Sequence, residues 1–315
     1  MALWTVYIVW GSTYLAIRVA VETLPPLLHA SVRFLLAGLV MYLFLLLKGG
    51  WARVRVSPSQ LGASVIVGTS LLLGGNGLVA IAEQEVPSGL AALIIASVPL
   101  WVVVLRAIFG DRVSGGTLLG VVVGFAGVGI LVLSGGGAAG AQTAGILLLV
   151  LASVAWATGS FCSSRLPLPG DPFVSTAVQM LGGGLVLGVA SLLTGEFTGL
   201  NFESFSLASV LAVAYLVVAG SLAAFTAYTW LLKNAPISKV STYAYVNPVV
   251  AVFLGWLILA EEITVPIVAG AAIIVAAVAF IVRHEAAGRA EIADRGEPAA
   301  APPSHETPVP SPASD

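Results

Sequence analysis

Apolar runs of about twenty residues, the length a helix needs to cross the hydrocarbon core of a bilayer, recur along the whole chain and are separated by short polar segments. Taken in order they predict helices near 3–22, 30–47, 62–82, 88–108, 115–134, 143–163, 174–195, 207–232, 238–259 and 264–283. The connections carry Gly, Pro or charge, as at Pro25-Pro26, Gly49-Gly50, Val86-Pro87-Ser88, Gly135-Gly136-Gly137, Leu166-Pro167-Leu168-Pro169-Gly170 and Ala235-Pro236. After Arg283 the apolar pattern stops. The tail that follows is rich in Pro, Ala, Glu and Ser, cannot bury enough apolar surface to fold, and is expected to be disordered over 284–315.

The pattern repeats once. Val32-Arg33-Phe34-Leu35 with Gly38-Leu39-Val40 matches Val178-Gln179-Met180-Leu181 with Gly184-Leu185-Val186 at an offset of 146. Pro87 and Pro99 match Pro236 and Pro248 at an offset of 149, and Gly120 matches Gly270 at 150, so the offset grows where loops absorb insertions. The chain therefore divides into a first five-helix repeat over 1–137, a second over 138–283, and the tail. Five is odd, so the second repeat enters the membrane upside down relative to the first. The fold class expected is an all-α polytopic membrane protein of ten transmembrane helices in two inverted-topology five-helix repeats.

Composition agrees with the pattern: 58% of the 315 residues are hydrophobic and 9% charged, against about 25% charged in a soluble domain. Charge then sets the orientation. With the N-terminus cytoplasmic, Lys48, Arg53, Arg55, Arg106, Arg112, Arg165, Lys233, Lys239, Arg283, Arg289 and Arg295 fall inside, eleven of the 13 basic residues. Glu22, Glu83, Glu85, Glu196, Glu203, Glu261 and Glu262 fall outside, with Arg18 and Arg33. This satisfies the positive-inside rule and predicts both termini in the cytoplasm. The first run has no basic residue before it and no small-residue cleavage pattern after it, so it reads as a retained helix without a signal peptide, and the mature chain is expected to start at Met1.

Several functions are disfavoured. Neither charge sign dominates a continuous surface, so nucleic acid is not an expected partner; the partners expected are a small molecule and the lipid bilayer. The lone Cys162 permits no internal disulfide and reads as a packing residue. The three histidines, His29, His284 and His305, show no metal-ligand spacing, and no Ser stands opposite an evident base. Neither a metal nor a cofactor is expected, and the chain reads as a non-enzyme.

Trp10-Gly11-Ser12-Thr13-Tyr14 with Ile17-Arg18, Arg33-Phe34, Gly75-Asn76-Gly77, Ala82-Glu83, Val86-Pro87-Ser88-Gly89 and Ser241-Thr242-Tyr243-Ala244-Tyr245-Val246-Asn247-Pro248 carry a family likeness. From about Trp4 to Arg283 the chain resembles the drug/metabolite transporter superfamily, in particular its EamA-domain inner-membrane exporters. The resemblance implies a ten-helix inverted-repeat fold, a central cavity lined by spans one, three, four, six, eight and nine, and efflux of small metabolites, amino acids or drugs. Asp111 departs from the family's usual Glu, and little chain precedes the first helix.

The residues themselves nominate a site. Tyr7, Trp10, Tyr14 and Arg18 recur at helical spacing along one face of the first span, with Ser12 and Thr13 beside them. Trp156, with Ser160 and Ser163 or Ser164, is the second-half counterpart. Such a stripe suits a cavity wall better than lipid, although aromatic residues also form interfacial belts. Arg18 and Arg33 are open to two readings, a bond to an anionic substrate group or snorkelling, Arg18 toward Glu22 and Arg33 capping its helix. Asn76, between two glycines, is expected either to bind substrate or to bond a neighbouring helix. Glu83 is a candidate for proton coupling or a plain loop acid. Tyr228, Tyr243 and Asn247 gather near Pro248, whose missing N–H leaves the Ala244 carbonyl without its helical donor. Pro99 and Pro248 break equivalent helices and are expected hinges, since discontinuous helices at matched positions point to a transport site. Substrate-binding residues are thus expected at Trp10, Ser12, Tyr14, Arg18, Asn76, Trp156, Tyr228, Tyr243 and Asn247. The expected function is export by alternating access; the alternatives are a metabolite-binding sensory or accessory protein, or a passive channel.

Overall fold

The computed structural model describes residues 1–135, 140–198, 200–235, 240 and 242–294. They form ten long helices and, among the described residues, no strand. In order these are α1 (Ala2–Ala20), α2 (Pro26–Val54), α3 (Pro58–Ala82), α4 (Ser88–Ile108), α5 (Gly115–Gly135), α6 (Gly140–Ser163), α7 (Pro172–Leu193), α8 (207–234), α9 (Tyr243–Leu259) and α10 (Val265–Asp294). Eight of them are long and apolar enough to cross a membrane; the other two, α1 and α9, have 19 and 17 residues. Prolines and short polar side chains set the starts. Ser57 and Gln60 close a capping box ahead of Pro58, Asp171 accepts from Phe173 N–H ahead of Pro172, and Ser206 accepts from Ser209 N–H.

Two helices, α2 and α10, differ in extent from the sequence expectation. α2 starts earlier, at Pro26, and bends at Gly50, whose φ of 69° is accessible to glycine without strain. α10 continues past Arg283 to Asp294, because Ala, Glu and Arg favour helix and Glu285 and His284 find partners in Arg106 and Ser114. The expected disordered tail lies outside the described residues from 295 onward, as do Pro236 and Ser238. The two prolines also act differently: α4 breaks at Ala96–Ser97 just before Pro99, whereas Pro248 sits inside an unbroken α9.

The halves cross over each other as a two-fold in the membrane plane requires. α2 packs on α7 and α5 on α10, the like helices of each repeat, while α1 packs on α8 and α9 and α6 on α3 and α4. Close approaches are duplicated across that axis. A Cβ on Gly38 would stand 3.1 Å from Leu181 Cγ, and one on Gly184 would stand 3.0 Å from Leu35 Cγ. Likewise a Cβ on Gly120 would stand 2.7 Å from Ile281 Cγ1, and one on Gly270 would stand 2.6 Å from Leu131 Cγ. Between lipid-bathed helices there is no hydrophobic gain in association, so small residues that admit close packing supply the attraction. Leu93, Ile94, Leu100, Ile146 and Leu149 fill the core between α4 and α6, and Leu118, Leu119, Val122, Leu185, Val189 and Leu192 face outward, where lipid would lie.

Candidate functional site

Two stretches of π-helix stand at matching places, Thr69–Gly77 within α3 and Leu216–Ala223 within α8. A π segment widens the turn and disturbs the hydrogen-bond ladder, and such segments concentrate at functional sites. Each faces the first helix of the opposite repeat. Trp10 of α1 donates its indole Nε1–H to the Gly220 carbonyl at 3.2 Å. Trp156 of α6 lies against Gly75, where a Cβ would stand 2.5 Å from Trp156 Cε3. The two tryptophans expected at matched depth are therefore placed on the seam between the repeats, Trp10 bonded to a glycine carbonyl and Trp156 packed on a glycine.

Aromatic and polar side chains extend the seam around Trp10. Phe225, Tyr243 and Tyr228 surround its ring at centroid distances of 5.3, 5.2 and 5.1 Å. Ser12 Oγ donates to the Val9 carbonyl at 2.9 Å and shares a 2.6 Å hydrogen bond with the Tyr215 hydroxyl on α8. Tyr7 bonds Thr242 across α1 and the start of α9. Asn247 is buried, and with its amide oriented so that the nitrogen, not the oxygen, faces the surrounding acceptors, it reaches the carbonyls of Tyr243 and Tyr7, both at 3.3 Å. It thus serves the carbonyl four residues before itself and one on α1, not that of Ala244. Tyr14 is half-buried against the core beside α4. Asn76 lies within the α3 π-helix, its Nδ2 3.4 Å from the Leu71 carbonyl. These groups share one seam, α1 with α8 and α9; Trp156 and Asn76 belong to the equivalent seam of α6 with α3.

Arg18 and Arg33 are both committed inside the protein. Arg18 donates to the backbone carbonyls of Glu83 and Gln84, the latter at 2.7 Å, and makes no ion pair with Glu22. Arg33 does not snorkel to the surface: it is buried and donates from Nε to Ser221 Oγ, 3.0 Å away in the α8 π-helix. Glu83, read as a coupling group or loop acid, is fully buried.

Polar contacts close both ends of the seam. At the acid-rich end, Glu196 accepts from the Leu27 and Leu28 amides at 3.0 and 2.8 Å, capping α2. Glu261 accepts from Ser88 N–H, Ser88 Oγ and Gly89 N–H at 2.7, 2.8 and 2.9 Å, capping α4. Both are second-repeat carboxylates placed on helix N-termini of the first repeat, where the dipole favours them. At the basic end the repeats are joined by ion pairs: Arg53 to Asp171 at 2.8 Å, Arg165 to Asp111 at 2.9 Å, and Arg106 to Glu285. Partial burial pushes Asp171 up, but Arg53 and the Phe173 and Val174 amides outweigh it and hold its carboxyl below the usual range. No trio of His, Cys, Asp or Glu able to hold a metal occurs among the described residues.

The sequence missed Phe225, Tyr215 and Ser221, which lie on α8 away from any motif; only the offset of 146 that relates Gly74 to Gly220 could have flagged that stretch. It also treated Glu196 and Glu261 as topology markers, because a carboxylate that caps a distant helix leaves no local signal.

Ten helices in two inverted halves, with aromatic and polar groups gathered on the seams, are an architecture of membrane transporters. The EamA-like transporter family matches residues 1–133 and 143–283, and the chain belongs to that family, within the drug/metabolite transporter superfamily. The uncharacterized inner membrane transporter YedA of Escherichia coli (strain K12) is 42% identical over 257 residues, 81% of this chain and 80% of that protein. The uncharacterized transporter YvbV of Bacillus subtilis (strain 168) is 25% identical over 276 residues, 87% of this chain and 88% of that one. A WAT1-related chloroplastic protein of Arabidopsis thaliana, At3g02690, is 27% identical over 298 residues, covering 88% of this chain and 69% of its own length. A solved crystal structure superposes with a TM-score of 0.63 at 21% identity, covering 91% of this chain and 97% of its own, and shares the fold.

Proposed function

We propose that this transporter exports small organic metabolites, amino acids, drugs or related compounds across the inner membrane by alternating access. The observation that carries the reading is that Trp10 bonds the Gly220 carbonyl and Trp156 packs on Gly75, each at one of two matched π-helices of the opposite repeat. Two equivalent, irregular half-sites on an inverted-repeat seam suit a substrate exposed alternately to each side by rocking of one repeat on the other. Trp10, Ser12, Tyr14, Asn76, Trp156, Tyr228, Tyr243 and Asn247 are the substrate-binding residues of this reading, and Arg18 joins them by releasing its carbonyls. The α4 break ahead of Pro99 and the unbroken turn at Pro248 are its hinges. The polar contacts at the two ends are separate sets, so either end can open while the other stays closed. The basic residues gathered at one end support cytoplasmic N- and C-termini.

Efflux of a mixed amino-acid and drug panel from proteoliposomes holding the purified protein tests the reading. Saturable efflux with counterflow of at least one compound is expected. Unsaturable flux would make the chain a channel, and no flux from folded protein would make the seam a ligand pocket without a transport cycle.

A further inference from the structure

Glu83 stands one residue beyond the end of α3 and has 0% exposure. Neither carboxyl oxygen has a hydrogen-bond partner, and no ion pair includes the residue. The cation and the amides nearest to it are engaged elsewhere. Arg18, the nearest cation, is held by the backbone carbonyls of Glu83 and Gln84. Ser88 and Gly89 donate to Glu261, which faces Glu83 from the connection between α9 and α10. Tyr14 faces it from α1. α6 packs on the end of α3 and contains no acidic or basic side chain. On α2, His29 lies 3.2 Å from the Pro25 carbonyl and Arg33 donates to Ser221.

An ionised carboxylate without a partner is among the costliest groups to bury, and in practice it takes up a proton. Burial first, and the Glu261 carboxylate second, hold Glu83 well above the usual carboxylate range, against a smaller pull from Arg18. We propose that Glu83 is a proton-binding site: it carries a proton while the acid-rich end of the bundle is closed, as in this structure, and gives it to water when that end opens. The step breaks one O–H bond and leaves a hydrated carboxylate. The closed form then binds one more proton than the open form, so lowering the pH favours closure and raising it favours opening. The pH window begins above 4.5, the ordinary value for Glu. The proposal rests on the alternating-access reading and deepens it, because opening of one face becomes linked to protons.

The test uses the full chain in proteoliposomes, with Cys162→Ser and a single probe cysteine, Val21→Cys. Val21 is 6% exposed and lines the cleft of about 330 Å³ at the acid-rich end. Ser204→Cys, at an exposed residue of the same end, corrects for thiol ionisation. With a membrane-impermeant maleimide, the labelling ratio of Val21→Cys to Ser204→Cys is expected to rise several-fold from about pH 5 to about pH 8, since a single group titrates over about two units. Glu83→Gln cannot lose a proton and is expected to hold the low-pH ratio throughout. A flat ratio in the parent, or the parent's titration persisting in Glu83→Gln, overturns the site. If Glu83→Gln does not fold, infrared spectroscopy of the parent decides: a protonated carboxyl band at about pH 6, where exposed acids are ionised, is expected, and its absence overturns the site. Neither readout needs a transported compound. A titrating ratio without panel efflux would retain the proton site and remove the carrier, and efflux with a flat ratio would do the reverse.

Discussion

Trp10 of the first repeat donates its indole N–H to the Gly220 carbonyl of the second, and its counterpart Trp156 presses a ring edge on Gly75, one residue beyond the Gly74 that matches Gly220. The two contacts are not equally tight. A Cβ on Gly75 would lie 2.5 Å from an aromatic carbon, whereas one on Gly220 would meet Thr13 Cγ2 at 3.1 Å and Arg33 Nη2 at 3.4 Å, both side-chain ends that can shift. Alanine in a helix regains about 1 kcal/mol over glycine, while overpacking costs about 1–3 kcal/mol. Gly220→Ala should therefore be near neutral and Gly75→Ala destabilising. Thermal denaturation of the two purified variants checks the order; a larger loss at Gly220 would mean that the Trp156 indole turns aside freely.

Backbone cannot turn aside at all. A Cβ on Gly183 would stand 2.6 Å from the Gly68 carbonyl oxygen, and one on Gly68 would collide with the Gln179 carbonyl. Here α3 and α7 touch main chain to main chain. Gly68→Ala or Gly183→Ala should force the helices apart and lower the folded, membrane-inserted amount severalfold, consistent with a cost of about 1–3 kcal/mol. Gly62→Ala, which would meet nothing within 4 Å, is the matched control. Quantitative immunoblotting of membrane fractions and detergent gel filtration would measure the three together.

The glycine offsets show how much of this was legible beforehand. Gly38 with Gly184 and Gly120 with Gly270 could be aligned from sequence because a helix-packing glycine is recognisable by type and spacing, and the structure sets each pair at equivalent contacts. The ten helices were legible for the same reason: membrane length and apolarity are local properties. The π-helices were not: Gly74-Gly75-Asn76-Gly77 in the first signals close packing as readily as a widened turn, and Leu216–Ala223 is as apolar as the helix around it. Nor was the burial of Glu83, which depends on α1 and on the connection between α9 and α10 covering it. Trp10, Tyr228, Tyr243 and Asn247 were found as a group because they are polar or aromatic in apolar runs; Phe225, equally close to Trp10, is hidden among the chain's other apolar residues.

Arg53 and Asp171 join the repeats at the basic end, with side chains 36% and 28% exposed. A pair this exposed is worth about 0.2–1 kcal/mol and is weakened by salt. Asp171→Asn keeps the cap on Phe173 N–H but removes the charge. Because Asp171 titrates below its ordinary 3.8, its contribution is fully present above that value and is lost as pH falls through the lower, folded value. The melting temperatures of parent and Asp171→Asn should differ slightly at neutral pH and converge only at pH below 3.8. Convergence at neutral pH would show the pair contributes nothing.

Pro248 allows the hinge reading to be separated from stability. It lies inside a continuous α9, next to Asn247, whose amide reaches carbonyls on α9 and α1. Restoring an N–H by Pro248→Ala completes the ladder to Ala244 and removes a residue that is about 3 kcal/mol unfavourable in a helix interior. The variant should be at least as stable as the parent. If α9 must flex there during the cycle, the stiffened helix should lower efflux by at least about tenfold, a barrier change of about 1.4 kcal/mol, with membrane abundance unchanged. Asn247→Leu should also lower efflux, by removing the amide that ties α9 to α1. Loss of abundance in step with efflux would assign these residues to folding. Unchanged efflux in Pro248→Ala, from protein shown to be fully inserted, would move the hinge to the break ahead of Pro99, where α4 is already divided.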